Sequence, residues 1–316
     1  LPAGVTHCDR VAQQYKMGAL SGESSGGASC LGPNWVSVIL NELGEGPLAR
    51  QLGQCLQVSS HVCDQCSKSE QYGNVGTRPV QGLICPSAQS PTEDEFLSDF
   101  GYRGLAKGNM AACFGSDYFI NGDDDGETKQ QKMGAFGVVD VWDRRPKPGQ
   151  SRSGGPTPLS GSKKETVGAW KVTKGVALNQ SEFRDGFTRT ILISEVISVL
   201  SKNDGRGTWA WAGMGGSTFT GRTPPNADGT MDPGYYDKIP ICDDKFAEGN
   251  RLHCTENRSN GKVWAAARSE HTGIVNVLMA DGHTEGRSDM IEPDVWRALT
   301  SRKAGDEGSL DMESGL

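Results

Sequence analysis

Residues 269–309 read SEHTGIVNVLMADGHTEGRSDMIEPDVWRALTSRKAGDEGS and carry the most specific pattern in the chain. Residues 274–280 form an apolar run that is too short to cross a membrane and that predicts a buried β-strand. Asp281-Gly282 follows as a type I′ turn signal, and residues 284–287 predict an exposed strand that returns beside the first. The C-terminal region is therefore predicted to begin as a β-hairpin.

A short helix is predicted to follow this hairpin. Pro293 suits the first helical position, and Asp294 places a negative charge near the positive end of the helix. Val295, Trp296 and Leu299 then recur at helical spacing. We therefore expect one apolar face of the helix to pack on the body of the protein.

This ending resembles the planctomycete prepilin-type family of unknown function, whose members look like type IV pilins or pseudopilins. The family motif is a His, nine residues, an Asp-Gly and then a Trp-bearing helix. The corresponding residues here are His271, Asp281, Gly282 and Trp296. Weaker likenesses occur upstream in the family's order, at residues 1–4, 34–40, 83–87, 109–113 and 185–195. The resemblance therefore extends over nearly the whole chain.

The resemblance implies a globular α+β head with an antiparallel sheet, carried by an N-terminal hydrophobic helix. This sequence begins at the segment that follows that helix in the family, so the helix is expected to be missing from this form. The implied function is non-enzymatic: a structural protein of a surface appendage, a secretion pseudopilus or a cell-envelope assembly. The implied partners are other copies of the chain or pilin-like subunits.

The order of the elements also predicts an α+β fold. Helical spacing occurs early in the chain, and strand patterns follow. The predicted helices are residues 35–43 and 47–56, and the predicted strands are residues 109–120, 133–142, 171–178, 190–200, 208–212 and 263–267.

The composition favours a modest sheet with long irregular insertions. The chain has 316 residues, of which 43 are glycine and only 35% are hydrophobic. We predict one decorated pilin-like domain over residues 1–316. Residues 144–164 are rich in Pro, Gly, Ser and basic side chains and predict an exposed loop or linker.

Charge and cysteine content restrict the partners and the compartment. The formal net charge of −7 argues against a nucleic-acid partner, which needs clustered Lys and Arg. No apolar run reaches the length of about 18 residues that a membrane span requires. Nine cysteines without a typical metal motif fit an oxidising compartment, so we expect an extracellular or cell-surface location.

Two disulfides are predicted from closeness in sequence, Cys85 with Cys113 and Cys242 with Cys254. The first pair would also join two of the family-like segments, residues 83–87 and 109–113. Spacing alone does not determine connectivity, and the odd number of cysteines leaves at least one thiol outside an intrachain pair.

An acidic turn supplies a calcium hypothesis. Asn121, Asp123 and Asp125 place oxygen ligands at alternate positions before a glycine, as in the first half of an EF-hand loop. The twelfth position is Lys132 instead of a bidentate Glu. A solvated hairpin tip is therefore the favoured alternative, and no other cofactor is predicted.

The sequence gives little support for catalysis. Ser24 lies in a formal nucleophile-elbow pattern, but within a Ser/Gly-rich loop instead of a strand-to-helix turn. His271 and Asp281 would lie about 30 Å apart at opposite ends of one strand. His271 is therefore expected to pack or to hydrogen-bond at the strand entrance, and a hydrolase is the least favoured function.

Soft side chains upstream give a weaker zinc hypothesis. Cys55, His61, Cys63 and Cys66 could supply four ligands, although a disulfide region is the favoured alternative in an exported protein.

A binding module is the alternative function. Trp209 and Trp211 share one face of a predicted strand and could form an aromatic platform for carbohydrate. Tryptophans in such positions are more often part of the core.

Overall fold

A computed structural model describes residues 5–7, 31–58, 75–88, 104–118, 132–143, 165–167, 170–174, 180–199, 201–211, 213–247, 252–257 and 263–303. The described strands are β1 (Val5–His7), β2 (Leu31–Asn34), β3 (Met110–Cys113), β4 (Val138–Asp143), β5 (Glu165–Val167), β6 (Trp170–Lys174), β7 (Ile191–Glu195), β8 (Thr218–Phe219), β9 (Asp237–Ile239), β10 (Cys254–Glu256), β11 (Ile274–Met279) and β12 (Thr284–Ser288). The described helices are α1 (Trp35–Ile39), α2 (Gly46–Val58), α3 (Asp244–Ala247) and α4 (Pro293–Thr300).

The main sheet has five strands in the order β12-β11-β7-β3-β8. Pairing is antiparallel from β12 to β3, and β8 pairs parallel to β3. The predicted α+β class is confirmed, and the sheet is mixed because its last pair is parallel. A second five-stranded sheet has the order β2-β1-β4-β6-β5, and β9 and β10 form a separate parallel pair.

The predicted C-terminal hairpin is present as β11 and β12, in a register that pairs Ile274 with Ser288 and Leu278 with Thr284. Strand β11 is half-buried: alternate residues face the core. The turn is not type I′. That turn needs a positive φ at Asp281, but among the described non-glycine residues only Asn226 has a positive φ. Instead, Gly282 alone has a positive φ, and its N–H donates to the Met279 carbonyl at 3.0 Å.

The outer edge of the main sheet is β12. Its side chains alternate between exposed and half-buried positions. Arg287 and Glu285 form an ion pair at 2.6 Å on this strand. At the opposite edge, the two residues of β8 are fully buried.

Helix α4 covers one face of the main sheet, as its spacing predicted. Pro293 is in the first turn, and Trp296 is fully buried. The ring of Trp296 lies 6.4 Å from that of Phe219, centroid to centroid. The same apolar cluster includes the core-facing side of β11, namely Val275, Val277 and Met279.

Helix α1 is tied to the entrance of β8. The Asn34 carboxamide accepts the Ser37 N–H at 3.1 Å, which caps the helix, and donates to the Ser217 hydroxyl at 2.8 Å. The Trp35 indole N–H donates to the Ser217 carbonyl at 2.7 Å. A second apolar cluster surrounds Trp35, which lies 6.2 Å from Phe136 between ring centroids.

Residues 208–212 were predicted as a strand, and this prediction is wrong: among the described residues, Thr208 makes only an isolated bridge to Lys107, and residues 209–210 form a turn. The ring of Trp211 occupies the space beside Gly205 and Gly213, where a Cβ atom would lie 2.2 Å and 2.1 Å from it. Trp209 and Trp211 are both buried, so the core interpretation is confirmed.

Residues 263–267 were also predicted as a strand, but they make only an isolated bridge, between Trp264 and Lys238. Residues 144–164 lie outside the described residues, and the single-domain organisation remains a prediction. Among the described helices, none is both long and apolar enough to cross a membrane.

Arg206 is the centre of a buried ionic network. Its guanidinium donates to Asp204 at 2.7 Å and to Asp237 at 3.1 Å, and Arg268 donates to Asp237 at 3.2 Å. Burial by itself raises the pKa of the Asp204 carboxyl. The charges of Arg206 and Lys107 and the hydrogen bonds from Arg206 outweigh burial and hold this pKa below its usual value. Because Asp237 begins β9, the network fixes the β9/β10 pair to the turn at residues 204–206.

The predicted Cys242–Cys254 disulfide is confirmed, with a Cα–Cα distance of 6.1 Å. It joins the chain just after β9 to the first residue of β10, across a separation of 12 residues. The Cys254 sulfur also lies 3.4 Å from an Arg206 nitrogen, so the bond and the ionic network belong to one buried region.

Replacing Trp296→Ala is expected to lower the free energy of unfolding by about 3–5 kcal/mol, because it leaves a cavity between α4 and the main sheet. Arg297→Ala on the same helix is the control. Arg297 forms an exposed ion pair with Asp294, and its removal should cost less than about 1 kcal/mol. Urea unfolding followed by circular dichroism measures both changes, and equal losses would contradict the packing of α4.

Replacing Asp204→Asn should lower the free energy of unfolding by about 3–5 kcal/mol near neutral pH, since it removes one partner of the buried Arg206 charge. The lowered pKa of Asp204 adds stability above its unfolded-state value of 3.8, and this contribution is lost as pH falls through the folded-state value. The difference between wild type and variant should therefore shrink on acidification below 3.8. Urea titrations at a series of pH values measure it.

The exposed residue Asp294 gives the control for that experiment, as Asp294→Asn. Its difference from wild type should stay under about 1 kcal/mol near neutral pH. A deficit for Asp204→Asn that stayed constant throughout the acid range would contradict the lowered pKa of Asp204.

Candidate functional site

Three segments that are distant in sequence meet at the entrance of β11. Cys85 follows the 3-10 turn Gln81–Leu83, Glu195 is the last residue of β7, and His271 precedes β11. Their side chains bring together a thiol, a carboxylate and an imidazole, with one candidate ligand atom from each within 4.8 Å of the others. These residues, with Ser87, are the candidate functional site.

Three polar groups of the site converge on one atom of the fourth, Nε2 of His271. Glu195 Oε1 lies 3.2 Å from it, Ser87 Oγ 3.4 Å and Cys85 Sγ 3.6 Å. The Cys85 sulfur and the Ser87 hydroxyl are themselves 3.1 Å apart. Cys85 and Glu195 are buried, His271 is partly exposed and Ser87 is exposed, so the site opens to solvent on one side.

Glu195 is held by the pairing of β7 with both of its neighbours. Its backbone is paired with Met110 on β3, and its carbonyl accepts the Arg268 N–H at 2.9 Å. The carboxylate is 3% exposed, and its Oε2 atom accepts the Asn276 N–H of β11 at 2.7 Å. The other oxygen, Oε1, is thereby directed at His271.

Cys85 is positioned through Asn109. The Cys85 N–H donates to the Asn109 carboxamide oxygen at 3.0 Å. The carboxamide nitrogen donates to the Val196 carbonyl at 3.2 Å, directly after Glu195. The buried Asn109 side chain therefore joins the loop that carries Cys85 to the end of β7.

His271 is presented by a compact turn before β11. The Ser269 hydroxyl accepts the His271 N–H at 3.1 Å and donates to the Ile274 carbonyl at 2.6 Å. Asn226 accepts the Ser269 N–H at 2.8 Å, and Gly273 completes the turn with a φ of +74°. His271 thus makes hydrogen-bonding contacts at the strand entrance, where packing or hydrogen bonding was expected.

The other residues of the predicted C-terminal motif lie elsewhere. Asp281 and Gly282 form the turn at the far end of β11, where Asp281 Oδ1 contacts the His283 ring at 2.6 Å. Trp296 is in the core under α4. Of the motif residues, His271 belongs to the site, whereas Asp281, Gly282 and Trp296 stabilise the fold.

The predicted Cys85–Cys113 disulfide is wrong, because both thiols are free and buried. Strand β3 directs the Cys113 side chain into the cluster beneath α4, where its sulfur lies 3.3 Å from the Thr300 carbonyl oxygen. The Cys85 sulfur points instead to His271. The two cysteines are close in sequence but belong to different parts of the fold.

Sequence reasoning missed Glu195, Ser87 and Asn109 as site residues. All three lie in segments that the sequence analysis singled out, at residues 83–87, 109–113 and 185–195. The signal that could have identified them is the presence of polar residues in several separate family-like segments, which the fold then brings to one place.

The calcium candidates Asn121, Asp123 and Asp125 lie outside the described residues, as do His61, Cys63 and Cys66 of the zinc hypothesis. The described flanks of the acidic segment meet where Lys132 pairs with Asp117 at 2.6 Å.

The site does not form a nucleophile relay. In a relay of nucleophile, base and orienting carboxylate, the nucleophile and the carboxylate contact different ring nitrogens. Here the Cys85 sulfur and the Glu195 oxygen both approach Nε2 of His271. This arrangement instead presents sulfur, nitrogen and oxygen atoms to a common centre, as ligands of a metal ion do.

Comparison with protein families identifies the chain. A family model described as "Protein of unknown function (DUF1559)" matches residues 2–294. The chain belongs to the DUF1559 family. The predicted membership of a family of unknown function is thereby confirmed. Searches of curated proteins and of solved structures gave no match to this DUF1559 protein.

The two free thiols among the described cysteines of the DUF1559 protein should differ in reactivity. Burial raises the pKa of the Cys113 thiol to about 12, so this thiol has almost no thiolate near pH 8. Cys85 lies at the solvent-facing side of the site, beside exposed Ser87. Iodoacetamide should therefore modify Cys85 at least about 10-fold faster than Cys113, as measured by peptide mass spectrometry.

Urea-unfolded protein is the control for this labelling, because both peptides should then react at similar rates. A Cys113→Ala variant should leave the rate at Cys85 unchanged. Faster modification of Cys113 in the native protein would contradict its burial under α4.

Proposed function

We propose that this DUF1559 protein is an exported, non-enzymatic, pilin-like structural protein of a surface appendage, a secretion pseudopilus or a cell-envelope assembly. The observation that carries the proposal is the structural use of the C-terminal motif. Asp281 and Gly282 close the β11–β12 hairpin, and Trp296 fixes α4 on the main sheet. A motif used in this way supports a role in building a stable outward-facing body.

The Cys242–Cys254 disulfide supports export. Disulfides form and persist in secreted and cell-surface proteins, and they are rare where thiol reductants are abundant. The buried position of Cys254 beside Arg206 further favours a permanent structural bond over a transient redox pair.

The arrangement of reactive groups favours a structural role over catalysis. Cys85, Glu195 and His271 converge, but the Cys85 sulfur and the Glu195 carboxylate approach the same nitrogen of the His271 ring, so they do not form a catalytic relay. A carbohydrate-binding role loses its main support, because Trp209 and Trp211 are buried and offer no exposed aromatic platform.

The expected partners are other copies of the chain or pilin-like subunits. The net charge of −7 disfavours nucleic acid, since the chain lacks the excess of cations that binds phosphates. Contacts between copies would use the surface of the globular body.

The location and the assembly state test this proposal. In cells that produce the protein, antibodies against residues 263–303 should label the outer surface, and mechanical shearing should release the protein. Chemical cross-linking before shearing should yield multiples of the chain. Cys242 and Cys254 should be disulfide-bonded in the released material, as measured by mass spectrometry without reduction.

A cytosolic marker protein provides the control for cell lysis in this experiment. Recovery of the protein with that marker, with Cys242 and Cys254 reduced, would contradict export. Surface protein that stays monomeric under cross-linking would contradict the assembly role.

A further inference from the structure

We propose that Cys85, Glu195 and His271 bind one divalent cation of the zinc class, with the fourth coordination position open to solvent beside Ser87. The three ligand atoms are Cys85 Sγ, Glu195 Oε1 and His271 Nε2. This metal site is independent of the proposed structural role, and either could fail without the other.

The distances between the ligand atoms fit a tetrahedral ion. Zinc bonds of about 2.3 Å to sulfur and about 2.1 Å to nitrogen and oxygen, at tetrahedral angles, place sulfur and nitrogen about 3.6 Å apart and nitrogen and oxygen about 3.4 Å apart. The Cys85 Sγ to His271 Nε2 distance is 3.6 Å, and the His271 Nε2 to Glu195 Oε1 distance is 3.2 Å.

Hydrogen bonding alone does not account for this convergence. His271 Nε2 carries either one hydrogen or one lone pair, so it makes one good hydrogen bond at a time. Three polar atoms nevertheless lie within 3.6 Å of it, from Cys85, Ser87 and Glu195. A cation between the sulfur, the nitrogen and the carboxylate oxygen would satisfy all three ligands together.

The ligand types select the class of metal. Calcium and magnesium prefer sites made entirely of oxygen atoms. A thiolate with an imidazole and a carboxylate suits zinc and similar transition ions. On binding, the Cys85 thiol releases its proton to solvent and its sulfur forms the metal bond, while the imidazole donates its Nε2 lone pair.

The surroundings of the ligands hold them ready for an ion. The Asn276 N–H donates to Oε2 of Glu195, so that Oε1 is the carboxylate oxygen that would bind the ion. Asn109 fixes the backbone of Cys85. Such outer contacts orient the ligands of metal sites and raise their affinity.

The site also has an entry path and an open coordination position. Ser87 is exposed, and its hydroxyl lies 3.4 Å from His271 Nε2 and 3.1 Å from Cys85 Sγ. A water molecule or this hydroxyl can therefore complete the tetrahedron. Three protein ligands with water in the fourth position is a known coordination pattern of zinc in proteins.

Binding would join three distant parts of the chain. The ion would tie the loop of Cys85 to the end of β7 and to the entrance of β11. Because the unfolded chain cannot hold these ligands together, the free energy of binding would add to the stability of the native fold.

Cobalt and zinc titrations of chain 1–316 test the proposal. The protein is stripped of metal by a chelator and handled without oxygen and without added thiol, so that the Cys242–Cys254 disulfide is retained. Cobalt should bind with a thiolate charge-transfer band and the intense visible bands of a tetrahedral ion. Zinc should displace cobalt, and it should raise the midpoint of thermal unfolding.

Matched variants assign the binding to the three residues. Cys85→Ala and His271→Gln should each weaken the site at least about 100-fold and abolish the stabilisation by zinc. Cys113→Ala removes the other described free thiol, and His283→Gln removes an exposed histidine of the hairpin. Both controls should bind cobalt as the wild type does.

Two further controls exclude misfolding of the variants and metal binding elsewhere in the chain as explanations. Far-ultraviolet circular dichroism of each metal-free variant must match wild type, and Glu195→Gln provides a second loss-of-binding variant that keeps an acceptor for Asn276. The proposal is overturned if wild type shows no cobalt–thiolate band. It is equally overturned if folded Cys85→Ala and His271→Gln retain that band, or if the band depends on Cys113 or His283 instead.

Discussion

The burial of the Glu195 carboxylate constrains the order and register of β3, β7 and β11 in the main sheet. A carboxylate that is 3% exposed needs compensating partners, and Glu195 finds them in the Asn276 N–H and the His271 ring. Its carbonyl also accepts the Arg268 N–H. These contacts are met only when β7 lies between β3 and β11 in the observed register. A slip by one residue would turn Glu195 to the other face of the sheet and remove them.

The local chemistry of the C-terminal region explains why it could be predicted. An alternating strand, a glycine in a tight turn and a proline-started helix are encoded within 30 or so consecutive residues, so neighbours in sequence decide the result. The type of turn between β11 and β12 was harder to predict, because Asp-Gly fits two kinds of hairpin connection. The choice between them depends on the φ of Asp281, which tertiary packing sets. Cys242 and Cys254 were predictable because the short segment between them brings the two together.

The candidate site could not be assembled from sequence, because its residues come from chain positions far apart. Closeness in sequence correctly paired Cys242 with Cys254 but wrongly paired Cys85 with Cys113. The difference is physical: a strand alternates its side chains, and β3 turns Cys113 towards α4. The strand prediction for residues 208–212 was wrong for a related reason. The glycines that make room for the Trp211 ring favour turns over a regular strand.

The two edges of the main sheet have a consequence for the contacts between copies that the proposed assembly role requires. At one edge, β12 presents an intrastrand ion pair between Glu285 and Arg287, and at the other edge the short β8 is covered. Charged or covered edges oppose the addition of further strands from neighbouring molecules. At high local concentration, these two edges therefore disfavour amyloid-like pairing of this sheet with the sheets of neighbouring molecules.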